Sequence, residues 1–171
     1  MELRLVGSEM CIRDSYHGGE KMTRFLSSKK YGHERGLSAA FRQWRATSHC
    51  RFMHGYSLEF EFVFGTDELD DNKWVVDFGS LKNLESWLRL NFDHKTLVAS
   101  DDPMYTAFEE MHVNGIIDMV TVEGTGCEMF AKMAMNHAKV LIQNITDDRC
   151  WVESVTVREH GANSATCMRT T

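Results

Sequence analysis

Between Ser48 and Tyr56 the chain reads Ser-His-Cys-Arg-Phe-Met-His-Gly-Tyr, placing a thiol, two imidazoles and a phenol within one short stretch. Cys50 and His54 share one site if the segment folds as a turn or a short helix. A thiol becomes a usable base near neutral pH when a metal or a protonated histidine depresses its pKa. Gly55, directly after His54, lets the backbone approach a ligand or bend tightly. Two later pairs carry related chemistry. Asp93-His94 sets a carboxylate beside an imidazole, the arrangement that fixes a histidine's tautomer. Glu159-His160 ends an apolar strand pattern, with Glu159 on the face shared by Val155 and Val157, so a pocket position is expected for both residues. Plainer readings stand beside these. Cys50 alone is a small buried hydrophobe. Asp93-His94 after a helix is a C-terminal cap that suits the macrodipole. Glu159 is a solvated strand charge. His33, between Gly32 and Gly36, reads as a surface or subunit-contact residue, and His112 and His137 read as structural.

The chain has 171 residues, 43% hydrophobic and 26% charged, with a net charge of −6. That length fits one domain with its own core. The acidic balance leaves no basic field of the kind nucleic acid or an anionic membrane favours. A local pocket for a phosphorylated small molecule remains compatible with it. No apolar run is long enough to span a bilayer, and none follows a charged leader. The five cysteines lack paired spacing and read as reduced thiols, so the expected location is cytoplasmic.

Residues 1–21 are expected to stand outside the fold. Leu5 to Asp14 reads as the in-frame translation of a transposase adaptor used in sequencing libraries, making 1–15 an expected assembly artefact. Tyr16 to Lys21 is then translated leader and Met22 the native start, with 22–171 a single domain. A native tail carries the same expectation of disorder.

The elements follow from periodicity. Residues 24–42 alternate weakly around two glycines and predict a bulged or broken strand. Leu58, Phe60, Phe62 and Phe64 alternate with more polar neighbours and predict a strand with one buried face. Leu81, Leu84, Leu88 and Phe92 recur at helical spacing, with Ser80 or Asp77 as N-cap. Residues 99–124 form a long connection holding a short helix at 104–113 and a short strand at 118–122. A second helix runs over 126–145, opened by a Thr125/Glu128 capping box. Its Met129, Met133 and Met135 read as core or subunit packing. Trp151 to Glu159 is a strand, and 162–171 adds one more. The resulting class is α+β, an antiparallel sheet with two main helices on one face, in the order strand-strand-helix-helix-strand-strand.

Six segments, in order, resemble the 6-pyruvoyl- and 6-carboxy-tetrahydropterin synthase family. They are Leu37-Ser38-Ala39-Ala40-Phe41-Arg42, Cys50-Arg51-Phe52-Met53-His54-Gly55-Tyr56, Val75-Val76-Asp77-Phe78-Gly79-Ser80-Leu81-Lys82, Phe92-Asp93-His94-Lys95-Thr96-Leu97, Thr125-Gly126-Cys127-Glu128 and Val155-Thr156-Val157-Arg158-Glu159. The resemblance covers about Lys30 to Cys167. It implies the tunnelling fold, in which sheets from several subunits close into a barrel, and a homo-oligomer, a hexamer built from trimers. It implies Cys50 as base, Asp93 and His94 as a proton relay, and Glu159 holding a pterin ring; His160 is expected in the same pocket because it follows Glu159. The resemblance also implies Zn²⁺ on three histidines. Here the sequence departs, because Phe41 and Tyr56 stand in two of the three positions and only His54 remains. Cys167 likewise stands where the family usually has tyrosine. Three readings of the metal follow. His49, His33 or Cys50 joins His54 in a rearranged site, with Tyr56 a rare ligand for zinc. The site has no metal and binds a pterin or purine. Or Phe41 and Tyr56 simply fill the cavity.

Two functions are therefore expected in turn. The first is a lyase of the 6-carboxytetrahydropterin synthase type. It acts on a pterin triphosphate, 7,8-dihydroneopterin triphosphate, in pterin or 7-deazapurine (queuosine) biosynthesis. The second is a relative that has lost zinc and only binds a pterin or purine, or catalyses another reaction on it. An oligomeric scaffold without a working site is the third class, and the grouping of Cys50, Asp93, His94 and Glu159 argues against it.

Overall fold

The computed structural model describes residues 23–170, so the expected artefact, leader and start at 1–22 lie outside the described residues. The strands are β1 (Phe25–Tyr31), β2 (Leu37–Phe41), β3 (His54–Thr66), β4 (Lys95–Ala99), β5 (Met119–Val122), β6 (Trp151–His160) and β7 (Asn163–Met168). The α-helices are α1 (Lys82–Phe92), α2 (Tyr105–Val113) and α3 (Cys127–Thr146).

β3 organises the sheet because it is long enough to carry two partners on one edge. β1 lies opposite its second half and β2 opposite its first half, both antiparallel. The weakly alternating 24–42 segment is thus two strands. The break is a 3₁₀ turn at His33–Arg35, closed by Gly36 at φ +68°, a left-handed conformation that glycine adopts without strain. On the other edge β6 pairs with β3 from Glu59 onward, so His54 to Leu58 is bonded on the β2 side alone. The order across the sheet is β5-β4-β2-β3-β6-β7, with β1 beside β3. The antiparallel pairings expected from sequence hold for β1, β2, β3, β6 and β7. The sheet as a whole is mixed, because β2–β4 and β4–β5 are parallel.

α1 and α3 cover one face. The alternation of β3 puts Leu58, Phe60, Phe62 and Phe64 wholly inside. Phe92 of α1 packs on Phe60 with ring centres 4.7 Å apart and on Phe130 of α3 at 5.6 Å. Phe130 in turn meets Phe41 of β2 edge-on at 5.0 Å. Full burial of each such ring stabilises by roughly 1.5–3 kcal/mol. Asp77 provides the cap before α1, its Oδ1 accepting from the Gly79 N–H at 2.8 Å. The capping box at α3 does not form. Gly126 is the cap, and the Thr125 hydroxyl donates instead to the Arg42 carbonyl at 2.7 Å. No helix among the described residues is long and apolar enough to cross a membrane.

His137 of α3 lies flat on Trp87 of α1, ring centres 4.3 Å apart and planes within 6°. Burial holds its pKa below the usual value. The unfolded chain therefore takes up a proton here before the folded chain does. Stability from this group is full above the ordinary histidine pKa of about 6.5 and falls as the pH drops below it. Urea midpoints at about pH 7.5 and about pH 5.5 should differ less in His137→Asn than in the parent chain. Equal differences in the two proteins would show that His137 carries none of the slope.

Candidate functional site

The period of two in β3 sends His54 and Tyr56 to one face, and the β2 register sets Phe41 opposite His54 and Ala39 opposite Tyr56. β2 can lie this close because position 55 has no side chain. A Cβ there would stand 2.6 Å from the Ala39 carbonyl oxygen. The three rings form a triangle, with centres 4.9 Å apart for Phe41–His54, 5.7 Å for His54–Tyr56 and 6.2 Å for Phe41–Tyr56.

Cys50 arrives on a 3₁₀ turn, His49–Arg51, whose Ser48 hydroxyl accepts from the Cys50 N–H. The Gln43 N–H donates to the Cys50 carbonyl at 2.9 Å, tying this turn to the chain leaving β2. α3 presents its first residue, Cys127, because Gly126 turns the chain at φ +107°. The Gln43 amide packs so tightly on Gly126 that a Cβ there would meet its Nε2 at 2.5 Å. Behind this turn Arg42 grips Asp102 with two bonds, Nε–Oδ2 at 2.8 Å and Nη2–Oδ1 at 2.5 Å. That contact lowers the Asp102 pKa and raises that of Arg42.

These elements and β6 enclose a cavity of about 430 Å³ lined by Gln43, His49, Cys50, His54, Tyr56, Cys127, Glu128, Glu159, Ala162 of the β6–β7 turn, and Asn163 and Ser164 at the start of β7. Burial, then the Glu159 and Glu128 charges, push the Cys127 thiol up to about 12, and Glu159 shares a hydrogen bond with it. Burial, then Glu159, Cys50 and Cys127, also raise the Tyr56 phenol. Both groups are therefore neutral near pH 7. A cavity of similar size, about 440 Å³, lies between the start of β1 and Trp74 to Phe78. Its walls are largely apolar and include none of the candidate residues.

The structure thus brings together Cys50, His54, Tyr56, His49 and Glu159. His160, expected in the pocket, does not line the cavity; its ring lies 5.8 Å from the Tyr56 ring and its Nδ1 accepts from the Ala162 N–H. Asp93 and His94 are joined to each other, His94 Nδ1–H donating to Oδ1 at 2.6 Å. They do not line the cavity, and the His94 side chain is 87% exposed. His33 donates to the Ser57 carbonyl and is not part of the cavity wall. Sequence reasoning missed Gln43 and Cys127 as wall residues. The glycine before Cys127 at a helix start was the one available signal for the latter.

A zinc held by three side chains does not fit these residues. Phe41 is fully buried and has no donor atom. Tyr56 is a neutral phenol, a poor ligand where zinc takes Cys, His or carboxylate. His54 donates its Nδ1–H to the Phe52 carbonyl at 2.7 Å and offers Nε2 alone. Among the described residues no three His, Cys, Asp or Glu side chains are grouped to hold a metal. The rearranged set expected from His54 with His49, His33 or Cys50 is therefore not formed.

The family model described as 6-pyruvoyl tetrahydropterin synthase matches residues 32–170. The 6-carboxy-5,6,7,8-tetrahydropterin synthase of Rickettsia typhi is 37% identical over 54 residues, 31% of this chain and 39% of that protein. The Aquifex aeolicus protein of the same name is 30% identical over 76 residues, 44% and 47% of the two chains. The chain thus spans less than half the length of these curated relatives. Among solved structures, an uncharacterized protein from Wolinella succinogenes superposes with TM-score 0.74 at 16% identity, over 86% of this chain and 99% of that one. The 6-pyruvoyltetrahydropterin synthase of Plasmodium vivax gives 0.62 at 14% over the same shares. At these identities the likeness is one of fold.

Proposed function

Since this chain belongs to the 6-pyruvoyl tetrahydropterin synthase family, we propose that the cavity around Glu159 binds a pterin and works on it without a histidine-held zinc. One observation carries the reading. Glu159 and Cys50 line one cavity, while Phe41 and Tyr56 stand where the family resemblance places two of the three metal ligands. A carboxylate accepts two parallel N–H bonds from an aminopyrimidine edge, a charge-assisted pair with its own orientation. Cys50 is then the thiol available to move a proton on the ligand's side chain.

The six family segments in their order point to a second reading, a lyase acting on 7,8-dihydroneopterin triphosphate on the way to 7-deazapurines such as queuosine. The bonded Asp93-His94 pair favours it. Because that pair does not line this chain's own cavity, its use as a relay calls for a second copy, in a homo-oligomer such as a hexamer. The wall chemistry speaks for the first reading. Two carboxylates line the cavity and no lysine or arginine does. The nearby guanidiniums are engaged, Arg42 on Asp102, Arg45 on Asp101 and Arg51 over the Phe52 ring. Such walls give a triphosphate no lysine or arginine to pair with.

Glu159→Ala tests the pterin site. Loss of a charged hydrogen-bonding pair should weaken pterin binding by roughly 10- to 100-fold in an equilibrium titration. Unchanged affinity in the variant would remove Glu159 as the anchor and the reading with it.

A further inference from the structure

We infer that the Tyr56 hydroxyl does at this site what a metal would do, donating a hydrogen bond to an oxygen on the ligand's side chain. The ligand class is then a pterin with a hydroxyl or carbonyl oxygen on the carbon attached to C6. The inference rests on the pterin reading above and adds the contact that selects among pterins.

The argument starts from the ring triangle. An oxygen in the cavity beside it meets two of the three side chains, His54 and Tyr56. Phe41 has no polar atom. His54, with its Nδ1–H committed to the Phe52 carbonyl, presents Nε2, an acceptor in the neutral ring. Tyr56 has a proton to give whatever the charge on His54, since a phenol is both donor and acceptor. Its position is fixed. Phe41, His54 and His160 surround the ring at centre distances of 6.2, 5.7 and 5.8 Å. The β2 register holds its backbone opposite Ala39. The ring is thus braced before any ligand arrives, so the contact needs little further ordering.

The hydroxyl is also free. It bonds no described residue, while the hydroxyl of the buried Tyr31 reaches the Leu81 carbonyl. It is not a buried orphan either, since among the described residues only the Ser27 hydroxyl is. It lines the cavity together with Cys50, Cys127 and Glu159. A carboxylate cannot donate, and it repels developing negative charge on a ligand oxygen. An uncharged O–H within such a wall supplies a donor without adding a charge, the role a neutral acid plays in an oxyanion-type site.

A matched pair of ligands tests this. 6-Hydroxymethylpterin and 6-methylpterin differ by one oxygen. Both are titrated into the full chain and into Tyr56→Phe, with a metal chelator and again without it. The parent chain should prefer the hydroxymethyl ligand by about 5- to 10-fold, the worth of one neutral hydrogen bond. In Tyr56→Phe that preference should shrink to about twofold or less, with 6-methylpterin binding as before. Unaltered 6-methylpterin affinity shows that the variant is folded and its pocket intact. A preference that survives in Tyr56→Phe overturns the inference and leaves the pterin site standing. A preference that the chelator abolishes in the parent chain also overturns it, because a metal is then holding the oxygen. Failure of the parent chain to bind either pterin overturns the pterin reading and the inference together.

Discussion

Phe41→His together with Tyr56→His is expected to create a stoichiometric zinc site. Zinc sits about 2.1 Å from an imidazole nitrogen, which puts each ring centre roughly 3.2 Å from the ion. Three such rings at tetrahedral angles have centres roughly 5.2 Å apart. The present triangle measures 4.9, 5.7 and 6.2 Å. His54 already offers Nε2, and the β2–β3 register fixes the other two positions. Only donor atoms are missing. Elemental analysis after desalting should find one zinc per chain in the double variant and far less in the parent. Zinc at 100 times its dissociation constant should stabilise the double variant by about 2.7 kcal/mol, an increment the parent lacks. Without metal the double variant should be less stable than the parent, by about 1–3 kcal/mol for a polar ring placed unpaired in the core. A double variant that elutes metal-free would mean the triangle is not the metal position. Stoichiometric zinc in the parent would mean that ligands outside the triangle serve.

Asp102→Ala should be the most damaging single change near the site, costing about 3–5 kcal/mol in denaturant unfolding. The Asp102 side chain is 1% exposed and receives both arms of Arg42. It also accepts from the Met104 N–H at 2.8 Å. Removing the carboxylate leaves a guanidinium 22% exposed with no counter-charge. The damage reaches the cavity, because the Arg42 carbonyl holds Thr125 and so the turn that presents Cys127. Asp101→Ala, one residue away, is the control. Its bond to Arg45 lies in solvent, and such pairs are worth at most about 1 kcal/mol. The Asp102 pKa is lowered by Arg42 first and by the Met104 N–H after it. Its contribution is therefore present above the ordinary aspartate range near 3.9 and is lost as the pH falls through and below it. Similar losses for Asp101→Ala and Asp102→Ala would show that burial of the pair adds nothing.

What could be read from the residues divides along physical lines. β3 declared itself because one of its faces is core and the other is not, so Leu58 to Phe64 alternate. β4 did not, because four of its five residues are buried. A short strand wrapped on both faces has no period of two to detect. The parallel pairings of β4 follow from a crossover through α1 that no local pattern encodes. In the site, Cys50, His54 and Glu159 were found because reactive side chains stand out in a sequence. Gln43 was not, since an amide beside a tight glycine turn looks like any loop residue. The Arg42–Asp102 bond joins residues 60 positions apart and leaves no spacing signal. The zinc expectation came from the same source as the family. Six motifs align a chain with its relatives, but the donor atoms at Phe41 and Tyr56 decide what the site can hold.

β3 is bonded along both edges from Phe60 to Gly65 but on one edge only from His54 to Leu58. One strand therefore has a slow end and a fast end in native-state hydrogen exchange, since amides in singly paired backbone open at lower free energy. The fast end carries the ring triangle. A ligand that braces Tyr56 and Glu159 adds a tie across that unpaired edge. Occupancy of the cavity then registers as slowed deuterium uptake at 54–58 with the rates at 60–64 unmoved, a readout with its own internal reference in a single strand.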